Sequence, residues 1–595
     1  MYSKTNYIKN FGESYCQSLP TLSESMIAIL KFFGGNRIYG VGGDYAANLI
    51  KAFENDFQIV PCSSEMNAGF ASCASAEING LGICLTTYTV GSLPCVTAAA
   101  LAKSEHLPVI FISGAPGESE IHQGALHHVV HSSDSWKVKY DAALNAFAEM
   151  GIRSERLQGS RSAEQPSIAN EQFFRLVEHA LRKQEPVFIE IPRDLPASYV
   201  QAMTLPKSLK EVTGDFSILS GAELIAKEIA QRLNQAKYPM LFIGEKYRGR
   251  PELFKELKKF CETYQIPFAT SIFAKGLFDE NHPLNLGCYN GVFSPPYARE
   301  FVEKKCDYIL EVGTSIYVLD TASAFATGTH VVDHFSNKTT LKGTTPLGED
   351  VLEVLQSLNR MKINIHERLL AAPKSLSPND DDRLSFNNLT AALNTLQDES
   401  DNAFIYLPEI GNSFFASFSL KTKASQLGRS WLTNPWYAAM GTSIPYARST
   451  CHAIQDRKTS DIPVIITGDG GFHFQSNELI HFLREDLFVI LIYMNNKIFH
   501  LGKTGDSNIY NCSDDRFDPI SLVKAYGGRG WKCSTWKEFK KTFQDACKER
   551  KGINLIEIPT GISDAEQSPE IQLLNLYIKS RNGDPASIEA WKKLK

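Results

Sequence analysis

Three stretches of the chain repeat one pattern, in which short apolar runs end at a glycine or a polar turn and helical segments lie between them. Apolar runs of this kind are typical of strands buried on both faces of a parallel sheet. Their alternation with helical segments indicates βαβ units. We therefore expect an α/β fold with three domains, each a mostly parallel sheet flanked by helices. The strand candidates are RIYGVGGDY, GICLTTYTVGS, PVIFISGA and PVFIEIPRDL, then YPMLFIGE, IPFATSI, YILEVGT and THVVDHF, then AFIYLPEIG, PVIITGDGG, LFVILIYMNN and INLIEIPTG.

Shifts in composition separate these stretches. The segment AAPKSLSPNDDDR is rich in Pro, Ser and Asp and marks the boundary before the third stretch. The polar residues 151–170 predict a surface insertion, and the polar tail is expected either to pack as a helix or to stay loose. The expected organisation is an N-terminal extension at 1–19, domains at 20–200, 215–365 and 385–565, and a C-terminal tail at 566–595.

The bulk composition excludes several classes of function. The 595 residues carry a net charge of -5, which argues against nucleic acid or an anionic membrane as the main partner. There is no run of about 18 apolar residues that would predict a membrane span, and the N-terminus lacks the apolar core of a secretory signal. The twelve cysteines form no CxxC pair and no zinc-spaced cluster. We therefore expect reduced thiols in a cytoplasmic protein.

The third stretch carries the most specific motif. Gly468-Asp469-Gly470 follows the apolar run PVIIT, and Asn495-Asn496 follows LFVILIYM after 24 intervening residues. Open α/β sheets bind ligands beyond the carboxyl ends of their strands, so the two pairs are expected at one edge. The buried stripe of the intervening helix QSNELIHFLRE is expected at Leu479, Phe482 and Leu483.

The residue types at this edge are ones that magnesium prefers. Asp469 offers a carboxylate oxygen, Asn496 an amide oxygen, and the backbone carbonyl of Ile498 a third ligand. The glycines on both sides of Asp469, with Gly471 after them, let the backbone approach a ligand closely. Magnesium commonly takes one or two protein groups together with phosphate oxygens. The sequence therefore predicts a Mg²⁺–diphosphate site.

This motif resembles the cofactor motif of the thiamine diphosphate enzyme family, which is GDG, then about two dozen residues, then NN. The resemblance extends over nearly the whole chain. It implies a pyrimidine-binding first domain, a central domain and a diphosphate-binding third domain, with thiamine diphosphate and Mg²⁺ as cofactors. By the match of SSEMNAGFA, Glu65 is implied as the carboxylate that promotes the imino tautomer of the aminopyrimidine ring. Taken alone, Glu65 is a helix-start glutamate favoured by the helix dipole.

Two further segments resemble parts of the family that hold the cofactor. NPWYAAMG resembles the segment that keeps the cofactor bent, which implies Met440 as the apolar wedge and the Ala438 carbonyl as acceptor for the exocyclic amine. The segment EIGN at 409–412 resembles one near the diphosphate and implies Asn412 as a contact. Taken alone, Met440 is typical of a core residue.

Asp44, in the run GGDY, and the pair His127-His128, in GALHHVVHSSD, resemble the 2-oxo-acid decarboxylase branch, such as pyruvate and indolepyruvate decarboxylase. The matching groups of that branch lie over the thiazolium carbon and relay protons to the enamine and the departing aldehyde. Imidazole exchanges protons near neutral pH, and a nearby carboxylate fixes its tautomer. His122 and His131 lie close by in the sequence and leave the choice of histidines open.

One position departs from that branch. The run NNKIFHLGKTGD has Gly502 where the branch carries a glutamate that helps carbon dioxide leave, and no acid follows until Asp506. His500 and Lys503 are candidate replacements. The ending PVFIEIPRDL is more similar to the acetolactate synthase and benzaldehyde lyase side of the family. A carboligase that forms a 2-hydroxyketone therefore stays open beside the decarboxylase.

The resemblance also implies a mechanism. Glu65 sets the tautomer, the thiazolium carbanion attacks the keto carbon of a 2-oxo acid, and carbon dioxide leaves. The enamine is then protonated through Asp44, His127 and His128 and an aldehyde departs, or it attacks a second aldehyde or ketone.

The family's active site lies between two subunits, which implies a homodimer or homotetramer. The central stretch lacks a clear GxGxxG at LFIGEKYRGR, which argues against FAD there. A non-catalytic scaffold is the third alternative, and the intact Glu65 and GDG–NN motif argue against it.

Overall fold

The computed structural model describes residues 19–124, 127–132, 135–159, 166–206, 221–245, 248, 251–314, 330–333, 338–341, 351–365, 377–499, 514 and 516–594. The chain divides into two compact units, Met1–Asp215 and Phe216–Lys595, which we call the N-terminal unit and the C-terminal unit. Within the ranges just given, no helix is long and apolar enough to cross a membrane.

The N-terminal unit is built around a parallel sheet. Its strands are β1 (Arg37–Gly40), β2 (Gln58–Pro61), β3 (Gly82–Thr86), β4 (Val109–Ala115), β5 (His131–Ser132), β6 (Ser135–Val138), β7 (Arg153–Arg156) and β8 (Val187–Pro192). Six of them form one sheet in the order β2-β1-β3-β4-β8-β7, with every pairing parallel. β3, β4 and β8 are buried along their whole length, as central strands covered on both faces require. β5 and β6 form a separate antiparallel hairpin.

The helices of this unit cover the sheet. They are α1 (Leu22–Phe32), α2 (Ala47–Phe53), α3 (Glu65–Asn79), α4 (Val96–Ser104), α5 (Glu118–His122), α6 (Ala142–Glu149) and α7 (Ala169–Lys183). α1 begins at a capping box, in which the Thr21 hydroxyl accepts from the Glu24 amide and the Glu24 carboxylate accepts from the Thr21 amide. Apolar side chains of α1 and α7, such as Met26 and Phe173, share one buried cluster with Ile110 of β4.

The four strands expected in this unit are confirmed as β1, β3, β4 and β8, whereas β2 and β7 were not expected. β7 lies inside the segment 151–170, so the prediction of a surface insertion is wrong for Arg153–Arg156. Its sequence RSER is polar because β7 is the last strand of the sheet and none of its residues is fully buried. Residues 160–165 of that segment lie outside the described residues.

The C-terminal unit contains two sheets. The strands of the first are β9 (Pro239–Ile243), β10 (Phe268–Thr270), β11 (Asn285–Cys288), β12 (Tyr308–Val312), β13 (His330–Asp333) and β14 (Lys338–Leu341). Their order is β11-β10-β9-β12-β13-β14, and only the β13–β14 pairing among them is antiparallel. The strands expected for the second stretch are confirmed as β9, β10, β12 and β13.

The second sheet of this unit positions the candidate site. Its strands are β15 (Phe404–Pro408), β16 (Ile462–Gly468), β17 (Val489–Asn495), β18 (Arg529–Lys532) and β19 (Ile553–Pro559). They are all parallel, in the order β15-β16-β17-β19-β18. The strands expected for the third stretch are confirmed as β15, β16, β17 and β19. β15, β16 and β17 therefore end side by side at one carboxyl edge.

The helices of the C-terminal unit pack against both sheets. They are α8 (Gly221–Gln235), α9 (Pro251–Tyr264), α10 (Pro296–Glu300), α11 (Val351–Leu358), α12 (Phe386–Glu399), α13 (Asn412–Ala416), α14 (Ser443–Arg457), α15 (Asp469–Gln475), α16 (Ile480–Arg484), α17 (Pro519–Ala525), α18 (Trp536–Glu549), α19 (Pro569–Arg581) and α20 (Pro585–Leu594). α19 and α20 form the C-terminal tail, and their residues Ile571, Leu574 and Trp591 join the core of the second sheet. Of the two alternatives for the tail, the structure has the packed helices.

The connection between β16 and β17 is not one helix. A 3₁₀ turn at Ser476–Leu479 separates α15 from α16. Leu479 and Phe482 are buried as expected, but Leu483 is 51% exposed, so its place in the buried stripe is wrong. A 3₁₀ turn advances fewer residues per turn than an α-helix, which shifts the face that the following residues present.

Candidate active site

The GDG and NN motifs lie together at the carboxyl edge of the second sheet. Gly468, the last residue of β16, is paired with Met494 of the neighbouring strand β17. Asp469 is the first residue of α15, Asn495 ends β17 and Asn496 follows it. The two motifs therefore meet at adjacent strand ends, as the spacing predicts.

The polar groups of this edge are largely held by local contacts. Asp469 is 2% exposed, and its Oδ1 accepts a hydrogen bond from the Gly470 amide at 2.8 Å. Asn496 is half-buried, and its Oδ1 accepts from the Ile498 amide at 3.2 Å. A carboxylate and an amide oxygen fixed in this way form a ready oxygen donor set for a hard cation.

The glycines around Asp469 leave room on one side and closely approach other residues on the other side. A Cβ on Gly468 or Gly411 would meet no atom within 4 Å, so open space lies beside both. A Cβ on Gly470 would lie 2.5 Å from Cε1 of Phe499, and one on Gly471 would lie 2.3 Å from Cγ of Glu409. The edge therefore has open space beside Gly468, where a ligand is expected to approach the protein backbone closely. It is closely packed beside Gly470 and Gly471.

Asn412 begins α13 at the same edge. Its Nδ2 donates to Gln567 Oε1 at 3.4 Å. Its Oδ1 is buried, and within the described part of the chain it has no hydrogen-bond partner. A buried polar atom of this kind costs free energy unless a ligand or water satisfies it, which fits a ligand-contacting role for Asn412.

The loop 434–441 has a fixed and unusual backbone. Ala438 has a φ of 55°, in the left-handed region that few residues other than glycine adopt. Asn434 is fully buried and holds the loop, since its backbone carbonyl accepts from the Ala438 amide and its Oδ1 accepts from the Ala439 amide. Met440 is half-buried and does not belong to the buried core. Its partial exposure suits a side chain that packs against a ligand better than one that fills a core.

Glu409 is a residue whose importance sequence reasoning missed. It follows β15 directly and is 1% exposed, and its carboxylate accepts from Ile410, Gly441 and Ser443. Burial raises the pKa of this carboxyl, and the hydrogen bonds from Ser443, Ile410 and Gly441 oppose the rise. The signal in the sequence is an acid placed immediately after the apolar run FIYLP, where a buried charge needs a specific partner.

In the N-terminal unit, Asp44 and the two expected histidines form one cluster. Asp44 begins a 3₁₀ turn just after β1. Its Oδ2 lies 3.3 Å from Nε2 of His127, and its Oδ1 lies 3.4 Å from Nε2 of His128. The two imidazole rings are tilted by 33° to each other, with their centroids 3.7 Å apart. One carboxylate therefore contacts both rings, with a different oxygen for each.

The other histidines near this segment lie differently. His122 ends α5, and its Nδ1 lies 2.8 Å from the backbone carbonyl of Glu118. His131 begins the small hairpin strand β5. His127 and His128 are therefore the pair that the structure places beside Asp44, and their role stays a prediction.

Tyr45 and Thr87 contact this cluster, and Arg193 packs on the ring of Tyr45. The ring of Tyr45 is buried. Its centroid lies 6.0 Å from the ring centroid of His127 and 6.1 Å from that of His128, and the guanidinium carbon of Arg193 lies 4.9 Å from it. The hydroxyl of Thr87 donates to Asp44 Oδ1 at 3.3 Å. Burial raises the pKa of Tyr45, and Glu120 and Asp44 add to the rise. Tyr45 and Thr87 are further contacts that sequence reasoning did not include.

Glu65 is the first residue of α3, behind the N-cap Ser64. Its backbone carbonyl accepts from the thiol of Cys95 at 3.2 Å. The side chain is half-buried, and no hydrogen-bond donor among the described residues reaches its carboxylate. The helix start explains its position, and its contact with a cofactor stays a prediction.

The position that departs from the decarboxylase branch falls outside the described residues. This applies to Gly502 and to the candidate replacements His500, Lys503 and Asp506. The described chain stops at Phe499 on this side of the edge.

Three family models match the chain over most of its length. They are the N-terminal TPP binding domain of thiamine pyrophosphate enzymes at 20–135, the central domain at 226–358 and the C-terminal TPP binding domain at 409–558. Thiamine pyrophosphate (TPP) and thiamine diphosphate are the same compound. The first range contains Asp44, Glu65 and both histidines, and the last contains the edge around Asp469.

Similar proteins match over nearly the same span. Pyruvate decarboxylase 4 of Arabidopsis thaliana is 24% identical over 589 residues, which cover 95% of this chain and 92% of that protein. Pyruvate decarboxylase of Neurospora crassa is 25% identical over 590 residues, which cover 95% and 97%. Pyruvate decarboxylase 1 of Pisum sativum is 26% identical over 538 residues, which cover 87% and 85%. With all three domain models matched in order, the chain belongs to the thiamine pyrophosphate enzyme family.

Proposed function

We propose that this enzyme decarboxylates a 2-oxo acid without oxidation and releases an aldehyde. The observation that carries the proposal is the Asp44 carboxylate in contact with both His127 and His128. Such a cluster moves protons, and decarboxylation to an aldehyde needs a proton delivered to carbon after carbon dioxide leaves. The similarity to pyruvate decarboxylases over 95% of the chain supports the same reaction class.

The cofactor is held at the carboxyl edge of the second sheet in this proposal. Asp469, Asn496 and the Ile498 carbonyl bind Mg²⁺, which neutralises the diphosphate. The open space beside Gly468 and the unsatisfied Oδ1 of Asn412 fit a bound group at this edge.

The other cofactor contacts follow the same assignment. Gly470 and Gly471 complete the diphosphate turn, Met440 packs against the rings, and the Ala438 carbonyl accepts from the exocyclic amine. Bound thiamine diphosphate supplies a nucleophilic carbon and an electron sink for decarboxylation. Glu65 hydrogen-bonds the pyrimidine ring and holds it in its reactive tautomer.

The histidine cluster holds and delivers the protons. Each Nε2 lies 3.3 or 3.4 Å from an oxygen of Asp44, so the carboxylate favours one orientation of each ring. His127 is 62% exposed along its side chain and His128 26%, so the cluster exchanges protons with solvent. Asp44 orients both rings, since each of its two oxygens faces one Nε2.

Product analysis tests this function directly. The purified protein is loaded with thiamine diphosphate and Mg²⁺ and offered a panel of 2-oxo acids, with aldehyde and carbon dioxide measured together. Equal amounts of both are expected. Carbon dioxide without free aldehyde, or no turnover of any 2-oxo acid, would contradict the proposal.

Carboligation is the second candidate, and Gly502 is the observation that favours it. With glycine in place of the glutamate of the decarboxylase branch, protonation slows and a second carbonyl compound has time to react. Adding an acceptor aldehyde to the same assay separates the two outcomes. A 2-hydroxyketone in place of free aldehyde would identify the chain as a carboligase.

The assembly in this proposal is a homodimer or homotetramer of a cytoplasmic enzyme, with a small 2-oxo acid as its partner. Each active site then combines Glu65 and Asp44 of one subunit with the Asp469 edge of another. Co-expression of the inactive variants Glu65→Ala and Asp469→Ala tests this arrangement.

A further inference from the structure

One buried residue, Glu409, links the three segments that carry the proposed cofactor contacts. These segments are 409–412, 438–443 and 468–471, which come from three separate parts of the C-terminal unit. Glu409 belongs to the first of them, and its amide donates to the carbonyl of Ile466 in β16 at 2.8 Å. The backbone of Glu409 is thus fixed to the strand that delivers Asp469.

The carboxylate of Glu409 binds the second segment. Oε1 accepts from the amides of Ile410 and Gly441, both at 2.9 Å. Oε2 accepts from the amide of Ser443 at 3.2 Å and from its hydroxyl at 2.7 Å. These four hydrogen bonds use the acceptor capacity of both oxygens. Because Gly441 follows Met440 directly, they fix the backbone from which the Met440 side chain extends.

The side-chain stem of Glu409 contacts the third segment. Its Cγ lies only 2.3 Å from where a Cβ on Gly471 would be, so Gly471 leaves space for Glu409. Gly471 lies in the first turn of α15, two residues after Asp469. One side chain therefore bridges the Met440 loop and the start of the helix that carries Asp469.

We propose that Glu409 is the positioning residue of the cofactor edge, setting the distance between the Met440 wedge and the Asp469 group. The inference rests on the proposed function for the identity of the ligand as thiamine diphosphate. Glu409 itself touches neither substrate nor cofactor in this assignment. Its buried charge is satisfied by backbone and hydroxyl donors, and such acceptors are costly to perturb.

The test compares Glu409→Gln with Ser443→Ala. In Glu409→Gln an amide N–H₂ replaces one acceptor oxygen and faces the Gly441 or Ser443 donors, so the loop moves. The dissociation constant of thiamine diphosphate, measured by titration in excess Mg²⁺, is expected to rise about 10- to 100-fold, as for residues that orient ligand-binding groups. Ser443→Ala removes one of the four hydrogen bonds and is expected to raise it about threefold. The near-ultraviolet circular dichroism of the bound cofactor should change in the same order.

Glu280→Gln is the matched control. Glu280 is another buried glutamate of the C-terminal unit, paired with Lys275 at 2.8 Å and accepting from the Thr422 amide. This variant is expected to lower the melting temperature while the cofactor dissociation constant stays within twofold of the wild type. Equal effects of Glu409→Gln and Glu280→Gln on that constant would overturn the inference.

Two outcomes keep the test decisive. If Glu409→Gln does not fold, Ser443→Ala decides, because an unchanged dissociation constant and circular dichroism in that variant overturn the positioning role. If the wild type binds thiamine diphosphate but makes no aldehyde, the proposed function fails while the role of Glu409 is still measured by the binding constants.

Discussion

The two candidate regions of this enzyme are built in opposite ways. Around Asp469 the polar groups are buried and locally hydrogen-bonded, with Glu409 and Asn434 both almost inaccessible to solvent. Around Asp44 the groups are exposed or, for His128, half-buried, and they meet at 3.3–3.4 Å, longer than ordinary charge-assisted hydrogen bonds. A binding region gains from rigid preorganisation, whereas a proton relay must exchange with solvent. The difference fits the proposed roles, in which the C-terminal unit binds the cofactor diphosphate and the N-terminal unit moves protons.

The largest expected effect comes from removing one essential group in each unit. Glu65→Ala and Asp469→Ala should each reduce turnover by at least about 10³-fold, since in the proposed function one loses the tautomer-setting carboxylate and the other a metal ligand. If each site combines both units from different chains, co-expressing the two variants restores one intact site in each mixed dimer. Random mixing then gives about a quarter of wild-type activity.

The control for this experiment is co-expression of two differently tagged Glu65→Ala chains, which should stay inactive. Mixed variants that remain as inactive as this control would contradict a site shared between chains. They would instead place Glu65 and Asp469 of the same chain in one site.

Asp44→Asn tests the exposed cluster alone. The amide keeps the shape of the carboxylate but offers one acceptor oxygen in place of two and cannot orient both imidazoles, so kcat is expected to fall about 10²- to 10³-fold. The dissociation constant of thiamine diphosphate should change less than threefold, because Asp44 belongs to the relay. Steady-state kinetics and cofactor titration measure the two quantities separately.

Thr87→Val is the matched control for Asp44→Asn. It removes the neutral hydroxyl that donates to Asp44 Oδ1 at 3.3 Å and keeps the charge. A fall in kcat of no more than about fivefold is expected for a long neutral hydrogen bond. A large loss of cofactor affinity in Asp44→Asn would contradict the proposal that the Asp44 cluster moves protons while the edge around Asp469 binds the cofactor.

The sequence predicted the parts of this architecture that depend on local pattern. The buried strands beside the site follow from apolar runs, and the meeting of Asp469 with Asn496 follows from adjacent parallel strands. The polar edge strand β7 was missed because an exposed edge has no apolar signature. Glu409 was missed because its partners Gly441 and Ser443 lie more than thirty residues along the chain, which no local pattern encodes.

Two glycine substitutions test which parts of the edge around Asp469 are open and which are closely packed. Gly468→Ala places a Cβ in open space, so the cofactor-free protein should keep its melting temperature while the cofactor dissociation constant rises about tenfold from the lost close approach. Gly471→Ala places a Cβ 2.3 Å from Glu409 Cγ, so the cofactor-free protein itself should lose about 1–3 kcal/mol. Thermal melts with and without cofactor distinguish them. Equal destabilisation of both cofactor-free variants would show that the space beside Gly468 is packed.

Glu190 gives the smallest expected effect on turnover and shows that the N-terminal unit also holds a buried carboxyl group. Glu190 is fully buried in β8, and its Oε2 accepts from Arg156 at 2.7 Å. Its Oε1 is buried without a hydrogen-bond partner among the described residues. Burial outweighs the pull of Arg156 and raises the pKa of Glu190 to about 7.

A raised pKa in the folded state fixes the sign of the pH dependence. The folded protein holds the proton of Glu190 more tightly than the unfolded chain, so this stabilisation is complete below about pH 4.5 and is lost as the pH rises through about 7. Glu190→Gln should therefore gain on the wild type by up to about 3 kcal/mol between pH 5 and pH 8, with kcat at saturating substrate unchanged. Urea unfolding monitored by hydrogen exchange of the β8 amides measures the difference. A constant gap across this range would mean that the Arg156 ion pair keeps Glu190 ionised throughout, and that burial in this unit is as well compensated as it is around Glu409.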